Sequence, residues 1–444
     1  MLSADLQPSY DGRAWIEVNL DAIAHNAAQI RAVLADGCEL MAVVKADAYG
    51  HGAVKVAQRL QREGVGAFAV ASLSEAIELR EGGIDSEILV LGYTHPADAA
   101  LLYDFGLTQM AVDGAYAKAL DAAWAACKDA QTGAPEKNGA QIGNGAQSNN
   151  ETQDNNKEPN AYNAPREHNT AGGKSELAAL GELKVHIAID TGMHRLGVDY
   201  ADIAQIEGIF SCQNLSVEGI ASHFASSDSV EADDIAFTNT QIERFFKVCD
   251  CMKRKGYNIG KQHIQASYGI LNYLDTPCDY VRAGIALYGV LSSNGAVKTM
   301  LDLWPALSMK ARVAEVRQIG AGESVSYGRT FTAEKPLMLA TVCIGYADGI
   351  PRQMSGSNGV CLIRGQIVPI LGRICMDLLM IDVTGIESVA PGDVVTLIGS
   401  DGNNTIRCED VAESSGTITN DILCRLGGRL PRVYVESGER REES

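Results

Sequence analysis

Eight short apolar runs, each followed by a stretch with helical periodicity, occupy the first two-thirds of this chain of 444 residues and limit the folds open to it. The runs are apolar throughout rather than alternating, which is typical of parallel strands covered on both faces. Such strands alternating with helices predict a (β/α)₈ barrel, with a doubly wound sheet as the alternative. The runs are Glu39–Lys45, Ala67–Ala71, Glu87–Gly92, Thr108–Val112, Lys184–Asp190, Ser216–His223, Lys261–Ala266 and Tyr280–Leu287.

Helices are predicted between these runs where apolar residues recur at helical spacing. The clearest of these amphipathic stretches are Leu73–Glu81, Ala115–Ala130 and Thr238–Lys255.

The character of the sequence changes after about residue 291. Short valine-rich runs alternate there with Gly, Pro and Asn turns, which predicts an all-β domain, either a barrel or a sandwich. We therefore predict a barrel domain over residues 1–290 and a β-domain over residues 291–444. The predicted strands of the β-domain are Met309–Val316, Leu337–Ile344, Gly359–Ile363, Gln366–Ile370, Leu378–Val383 and Asp393–Ile398.

The segment from about residue 131 to residue 175 differs from both domains. It is rich in Asn, Gly, Gln, Glu and Pro and contains almost nothing apolar. Such a segment cannot bury enough surface to offset the entropy lost on ordering, so it is predicted to be a disordered insertion in the barrel domain. A catalytic role is not expected for it, and composition leaves a partner-binding role open.

Charge and cysteine content exclude several classes of function. The net charge of −19 argues against binding to nucleic acid or to anionic membranes, both of which need a basic surface. The 11 cysteines are scattered and form no metal-type cluster, which favours reduced thiols. Cys249 and Cys251 are too close for a usual zinc pair and fit two faces of a helix.

Targeting signals are also missing from the sequence. The first 13 residues lack the basic and apolar regions of a signal peptide. The apolar run Leu337–Ala347 is too short to cross a bilayer, which takes about 20 residues. The sequence therefore predicts a cytoplasmic protein that binds neither a membrane nor a metal.

Lys45 is the first candidate for chemistry, because active sites of (β/α)₈ barrels lie at the carboxyl ends of the strands. It ends the first predicted strand, in the string VKADAYGHG over residues 44–52. Desolvation at the mouth of a barrel lowers the pKa of a lysine and suits it to Schiff-base chemistry. An exposed loop charge is an equal alternative on the residues alone.

Polar or glycine residues also follow the later predicted strands. Arg195, in the string DTGMHRLG, offers a planar fork of donors for a carboxylate or a phenolate, although a surface ion pair is the more common use. His223 can stack on a planar ring or be an ordinary core histidine. The hydroxyl of Ser267 suits a phosphate. Gly284 and Ile285 lie where such barrels often bind phosphate.

Three turns of the predicted β-domain carry unusual residues. Tyr327 and Tyr346 each stand next to a glycine in a polar turn, and Met376 ends the string GRICM at residues 372–376. Each signal is weak alone, because tyrosines in such places are more often half-buried strand ends than acids or bases.

Together these strings resemble the alanine racemase family, over nearly the whole chain outside the insertion. The resemblance begins near Trp15 and ends near Arg432, and VKADAYGHG is similar to the motif of the family's lysine that binds pyridoxal 5'-phosphate (PLP). The strings HIQASYGILNY at residues 263–273 and LGGRLP at 426–431 are similar to the racemase domains of vancomycin-resistance serine/alanine racemases.

The resemblance implies a PLP-dependent enzyme and a homodimer with active sites shared between the subunits. Lys45 would bind the cofactor covalently. The cofactor's phosphate would be held by Tyr49 and Ser267 and by the backbone near Gly284 and Ile285.

The resemblance also assigns the remaining candidates. His223 would pack against the cofactor ring, and Arg195 would contact the phenolate oxygen and the substrate carboxylate. Arg282 would face the pyridine nitrogen. The partner chain would supply the other three residues, which are Tyr327, Tyr346 and Met376.

The implied reaction is the interconversion of L- and D-alanine, with the D-alanine used in peptidoglycan. PLP is an electron sink that makes the α-proton removable. Inversion then needs two bases on opposite faces of the substrate, and the resemblance assigns Lys45 to the D-enantiomer and Tyr327 to the L-enantiomer. The alternatives are a PLP decarboxylase of the same barrel fold, a PLP carrier protein and a regulatory pseudo-enzyme.

Three positions depart from the family's pattern. Ala188 stands where the family often has a carbamylated lysine that orients the arginine. Ala266 replaces an asparagine beside the serine, and Gly428 replaces a tyrosine that contacts the phosphate. The last change should open space near the substrate. The two strings that are similar to the serine/alanine racemases imply substantial activity on L-serine, which is the alternative expectation for the substrate.

Overall fold

The structure is a computed structural model that describes residues 12–132, 180–356 and 358–436. The predicted disordered insertion lies, from residue 133 onward, outside the described residues. Its first two residues end the long helix Gly114–Thr132.

All eight predicted barrel strands are present, parallel, and paired in chain order. The eighth strand returns to pair with the first, and a bridge between Ala266 and Arg282 joins the seventh strand's end to the eighth. The sheet is therefore a nearly closed barrel, which confirms the predicted fold. Its strands are Glu39–Val43, Ala67–Val70, Glu87–Val90, Thr108–Ala111, Leu183–Asp190, Leu215–Ala221, Lys261–His263 and Tyr280–Ala283.

Helices connect the barrel strands, and the longer ones bury one face. In Ala53–Arg62, for example, the buried residues are Ala53, Val56, Ala57 and Leu60, at the spacing of one helical face. The α-helices of the barrel part are Leu20–Ala32, Lys45–Gly50, Ala53–Arg62, Leu73–Glu81, Ala99–Asp104, Gly114–Thr132, Ile203–Phe210, Ala232–Arg254 and Ser267–Asn272, and the 3₁₀ helices are Pro96–Asp98 and Ile285–Tyr288.

The last two barrel strands are shorter than the sequence predicted. The predicted strand to Leu287 ends at Ala283, because a buried 3₁₀ turn begins at Ile285. The predicted strand to Ala266 likewise ends at His263, before the helix that begins at Ser267. At the eighth strand the apolar run continues through the turn, and such a run does not reveal where a strand ends.

The β-domain contains all six predicted strands. Leu307–Ile319 is its central strand: Met309–Arg312 pairs with Val394–Asp401, and Val313–Ile319 pairs with Leu337–Val342. The remaining strands are Ser324–Val325, Phe331–Thr332, Val360–Ile363, Gln366–Pro369, Leu379–Asp382, Asn404–Ile406 and Arg432–Val435. The short helices, which were not predicted, are Tyr327–Arg329, Tyr346–Asp348, Arg352–Met354, Cys408–Ser414 and Thr419–Cys424.

The two ends of the described chain meet in the second sheet. Ala14–Asn19 pairs antiparallel with the central strand Leu307–Ile319 and parallel with Arg432–Val435. The short strand Val198–Asp199 pairs with the fifth barrel strand. The domain limits at residues 290 and 291 stay a prediction, because the strand Ala14–Asn19 near the start of the described chain also belongs to the second sheet.

One large cluster of buried apolar side chains extends from the barrel into the β-domain. All 11 cysteines are free. Cys249 is buried and Cys251 half-buried on helix Ala232–Arg254, which confirms their predicted placement on a helix. In the described ranges, no helix is long and apolar enough to cross a membrane. Nor do those ranges contain three His, Cys, Asp or Glu residues grouped as a metal would need.

Candidate active site

A cavity of about 610 Å³ opens at the carboxyl ends of the barrel strands. Its volume lies within the usual range for a small-molecule site. Every barrel residue that the sequence singled out lines it, namely Lys45, Tyr49, Arg195, His223, Ser267, Arg282, Gly284 and Ile285. The three candidates from the β-domain do not line the cavity of their own chain.

Lys45 begins an unusual left-handed turn. The four residues Ala46–Tyr49 all have φ between 52° and 54°, although none is glycine. This conformation costs about 1–2 kcal/mol per residue, so other contacts must hold it. Glu75 supplies one of them, because its carboxylate accepts the amide N–H of Ala46 at 2.7 Å and that of Ala71 at 2.7 Å.

Arg432, near the end of the described chain, holds the other side of this turn. Its guanidinium donates to the carbonyl oxygens of Gly50, Leu426, Gly427 and Leu430. The side chain is 9% exposed, so it is almost fully committed to these contacts. The C-terminal segment therefore fixes the position of the turn that carries Lys45.

The environment of Lys45 favours its neutral amine. The side chain is half-buried at the cavity wall, and this burial lowers its pKa below the ordinary value of 10.5. The positive charges of Arg195 and Arg282 lower the pKa further, with Arg195 the stronger of the two. A neutral amine is the form that attacks a carbonyl carbon.

Tyr49, Ser267 and Gly284 form a polar corner of the cavity. The Ser267 hydroxyl oxygen accepts the amide N–H of Gly284 at 3.0 Å and that of Ala286 at 3.3 Å. The Tyr49 ring is buried against Tyr288, with 5.0 Å between the ring centroids. The hydroxyls of Ser267 and Tyr49 are therefore the groups of this corner that can donate to a phosphate.

Arg282 is the buried cation of the site, at 5% exposure. Its Nη1 donates to His263 Nδ1 at 2.6 Å and to the His263 carbonyl oxygen at 3.0 Å. Its Nη2 donates to the carbonyl oxygen of Ser222 at 2.6 Å and contacts His223 Nδ1 at 3.2 Å. Within the described ranges, Nε has no acceptor, and the side chain lines the cavity.

Burial keeps the histidines around Arg282 neutral. The pKa of His223 is lowered to about 3, first by burial and then by the positive charge of Arg282. The pKa of His263 is lowered well below 6.5 for the same two reasons. Burial also lowers the pKa of Arg282 itself to about 10, which leaves it charged at neutral pH.

Arg195 lies in a turn that Asp190 organises. The Asp190 carboxylate accepts the amide N–H groups of Gly192 at 2.9 Å and His194 at 3.0 Å. Arg195 is exposed, and no residue of the described chain accepts a hydrogen bond from it. Ala188 also lines the cavity, so the cavity extends to the position where the resemblance placed a carbamylated lysine.

Tyr327, Tyr346 and Met376 occupy three turns of the β-domain. Two of these turns adjoin directly, because the amide of Tyr346 donates to the Cys375 carbonyl at 3.0 Å. The third adjoins them through Ser326, whose hydroxyl lies 3.6 Å from Cys375 Sγ. The three predicted side chains are 70%, 41% and 53% exposed, respectively. The β-domain therefore presents all three to the outside on one set of turns.

Family models match both parts of the chain. The model described as "Alanine racemase, N-terminal domain" matches residues 18–134 and 170–292, and "Alanine racemase, C-terminal domain" matches residues 306–434. The chain belongs to the alanine racemase family.

Individual relatives agree with this membership. The "Amino-acid racemase" of Enterococcus faecalis is 40% identical over 94% of this chain, which spans only 51% of that protein's length. "Alanine racemase 2" of Caldanaerobacter subterraneus subsp. tengcongensis is 37% identical over 96% of this chain and 95% of its own. The structure of alanine racemase from Bacillus anthracis with bound L-Ala-P matches with a TM-score of 0.78 at 30% identity, and the match covers 98% and 97% of the two chains.

Sequence reasoning missed several residues of this alanine racemase family site. Ile418 and Asn420 line the cavity from the C-terminal region, and the buried Asn420 Oδ1 has no hydrogen-bond partner in residues 12–132, 180–356 and 358–436. Glu75 and Arg432 hold the turn of Lys45 from distant parts of the sequence. None of these residues lies at the end of a predicted barrel strand, which was the only positional signal available.

Proposed function

We propose that this protein is a PLP-dependent racemase that interconverts L-alanine and D-alanine. The observation that carries the proposal is the cavity that brings all eight barrel candidates together, with Lys45 at its wall. Chains named alanine racemase that align with this one over 95–96% of its length support the choice of substrate.

The residues of the cavity fit PLP in three respects. Lys45 offers an amine with a lowered pKa. The corner formed by Ser267 and Tyr49 offers hydroxyl groups for a phosphate. Gly284 has no side chain to fill this corner, where a Cβ would lie 2.6 Å from the Tyr49 hydroxyl oxygen. Arg282 lines the cavity, and its Nε–H has no acceptor among the described residues. When bound, PLP supplies the electron sink that makes the α-proton of an amino acid removable.

The chain's own residues then have distinct roles. We assign proton transfer on one face of the substrate to the Lys45 amine and on the other face to the phenol of Tyr327. Arg195, exposed at the cavity, would bind the substrate carboxylate through its planar fork of donors. Arg282 donates only, so it would disfavour a proton on a ring nitrogen opposite it. His223 would pack against the planar ring of the cofactor.

We propose that two copies of the chain form a dimer with shared sites. Tyr327, Tyr346 and Met376 point outward on adjoining turns and are absent from their own cavity. Leu196 and Ile418 line the cavity yet are 47% and 50% exposed. Exposed apolar groups of this kind mark an interaction surface, and the turns of a second copy would cover them.

The experiment is a racemisation assay with PLP on a panel of L-amino acids that includes alanine and serine. Lys45→Ala and Tyr327→Phe should each abolish turnover of L-alanine by at least about a thousandfold, since each removes a base that the reaction needs. Lys55→Ala and Tyr93→Phe, at exposed positions outside the cavity, are the matched controls. A Lys45→Ala variant with full activity would refute the proposal, and a serine rate that exceeds the alanine rate would refute its substrate.

Mixing the two inactive variants tests the shared site. Random exchange of subunits puts an intact Lys45 opposite an intact Tyr327 in roughly one quarter of the sites, so activity should return to about that fraction. If the mixture stays inactive while subunit exchange is demonstrated by labelling, each site is built from one chain.

A further inference from the structure

A chain of buried side chains runs from Arg282 toward the opposite end of the barrel. His263 Nδ1 lies 2.6 Å from Arg282 Nη1, and His263 Nε2 lies 2.8 Å from His186 Nδ1. His186 Nε2 then faces the Glu87 carboxylate, with 3.7 Å to Oε1. Glu87 Oε2 accepts the hydroxyl of Tyr280 at 3.0 Å. Both histidines are fully buried, at 0% exposure, whereas Glu87 begins the third strand and its side chain is 31% exposed.

The chain has only one possible direction of donation. A guanidinium donates and never accepts, so His263 Nδ1 must be unprotonated. A neutral His263 then carries its proton on Nε2 and donates it to His186 Nδ1. A neutral His186 must in turn carry its proton on Nε2, toward Glu87. One charged end therefore determines the tautomer of both rings.

The backbone makes room for this arrangement at Gly219. That residue lies beside His186 on the neighbouring sixth strand. A Cβ there would lie 2.7 Å from His186 Cε1, 2.8 Å from His186 Nδ1 and 2.7 Å from the carbonyl oxygen of Lys261. Such distances do not occur between unbonded atoms, so any side chain at residue 219 would displace the ring of His186.

The last contact of the chain differs from the others. A separation of 3.7 Å is too long for a direct hydrogen bond. His186 Nε2 is accordingly a buried nitrogen without a partner in the described parts of the chain. The carboxylate of Glu87 is the negatively charged group that this N–H faces, and the attraction acts without a direct hydrogen bond.

We infer that His186 is a positioning residue for Arg282. His186 fixes the tautomer of His263, and His263 in turn holds the guanidinium of Arg282 so that the Nε–H remains available to the cavity. Glu87 anchors the outer end of this chain of side chains. The inference rests on the proposed function for its catalytic consequence. The tautomers themselves do not depend on that function.

The first test is nuclear magnetic resonance of the full-length protein with ¹⁵N-labelled histidine, before and after loading with PLP. His186 and His263 should both show an unprotonated Nδ1 and a protonated Nε2, and the His186→Asn variant assigns the signals. A protonated Nδ1 on either ring, or a doubly protonated ring, would overturn the inference whatever the enzyme turns over.

The second test compares His186→Leu with His186→Asn. Leucine removes the acceptor for His263 Nε2, whereas the Asn oxygen can stand in for Nδ1. We expect His186→Leu to lower kcat on the order of tenfold, the usual loss when the partner of a ligand-orienting group is removed. The KM for alanine should change little, because Arg195 is untouched. His186→Asn should restore kcat to within about threefold of the native protein. Equal losses in both variants would reduce His186 to a space-filling role and refute the inference.

Two further variants keep the inference testable if a His186 variant fails to fold. Gly219→Ala displaces the ring of His186 without removing it, and should shift the His263 signals in the same direction as His186→Leu. Glu87→Gln removes the charge and keeps an acceptor for Tyr280, so it should shift the His186 Nε2 signal. An unchanged His263 signal in Gly219→Ala would contradict the positioning role, and an unchanged Nε2 signal in Glu87→Gln would remove Glu87 from the chain. If the native protein shows no racemase activity, the proposed function fails, but the inference about the tautomers of His186 and His263 does not.

Discussion

The hydroxyl of Tyr49 occupies the space that a side chain at residue 284 would need. A Cβ on Gly284 would lie 2.6 Å from the hydroxyl oxygen and 3.2 Å from the ring carbon that bears it. The amide of Gly284 meanwhile donates to Ser267 at 3.0 Å. The absence of a side chain at Gly284 therefore lets two strand ends contribute a hydroxyl each to one corner of the cavity.

Gly284→Ala should weaken PLP binding by roughly tenfold, which corresponds to ~1.4 kcal/mol. The added methyl pushes the Tyr49 hydroxyl out of the corner that we propose for the phosphate. The measurement is a PLP titration followed by absorbance. Gly66→Ala is the matched control, because a Cβ at Gly66 meets nothing within 4 Å and its φ is not positive. Equal affinities in both variants would argue against this corner as the phosphate site.

Glu75→Gln should destabilise the left-handed turn of Lys45. The carboxylate accepts two amide N–H groups, from Ala46 and Ala71, and an amide side chain has only one oxygen for them. We expect a loss of about 1 kcal/mol in the free energy of unfolding and slower covalent capture of PLP by Lys45. Urea denaturation and borohydride trapping measure the two effects. Glu81→Gln, exposed on the same helix, should change neither.

Arg432→Lys should loosen the C-terminal segment from the same turn. A lysine cannot reach the four carbonyl oxygens that the planar guanidinium binds together. The expected loss is about 2–3 kcal/mol in the free energy of unfolding, as several buried acceptors lose their donor. Arg425→Lys is the control, since that side chain is 50% exposed. A melting temperature equal to that of the control would show that the hydrogen bonds of Arg432 contribute little to stability.

Acid should destabilise the protein partly through His51. Burial lowers the pKa of this histidine from 6.5 to about 4 in the folded protein. Between those values the unfolded chain takes up a proton that the folded chain does not, so stability is complete above pH 6.5 and falls as the pH is lowered. The slope for one such histidine is ~1.4 kcal/mol per pH unit.

His51→Asn should reduce the slope of the free energy of unfolding against pH by the contribution of one titrating group. The Asn amide nitrogen can replace Nδ1 as the donor to the carbonyl oxygens of Ala48 and Tyr49, but it does not titrate. Urea denaturation of both proteins from pH 5 to 7 measures the two slopes. Parallel slopes would mean that folding does not lower the pKa of His51.

Much of the site could be predicted from the sequence because its residues follow barrel strands directly. Lys45, Arg195 and His223 each stand at or just beyond the carboxyl end of a strand, and the topology of the barrel brings such ends to one mouth. The same rule found Ser267 and Gly284, although their strands end earlier than predicted.

The roles of Glu75, Arg432 and His186 were not predictable in this way. Arg432 acts on a turn more than 380 positions earlier in the chain, as its hydrogen bond to Gly50 shows. The left-handed turn after Lys45 contains no glycine that would announce it. His186 lies inside a strand, where a buried histidine gives no sign of its partners.

The sequence by itself determined the barrel, the β-domain strands and the residue types at the mouth, because these follow from apolar periodicity and from what stands at each strand end. Only the tertiary structure decided which of these groups touch, which ring nitrogens of the buried histidines face each other and which side chains face away from their own cavity. Those properties depend on contacts between segments far apart in the chain, and local sequence pattern carries no information about such distances.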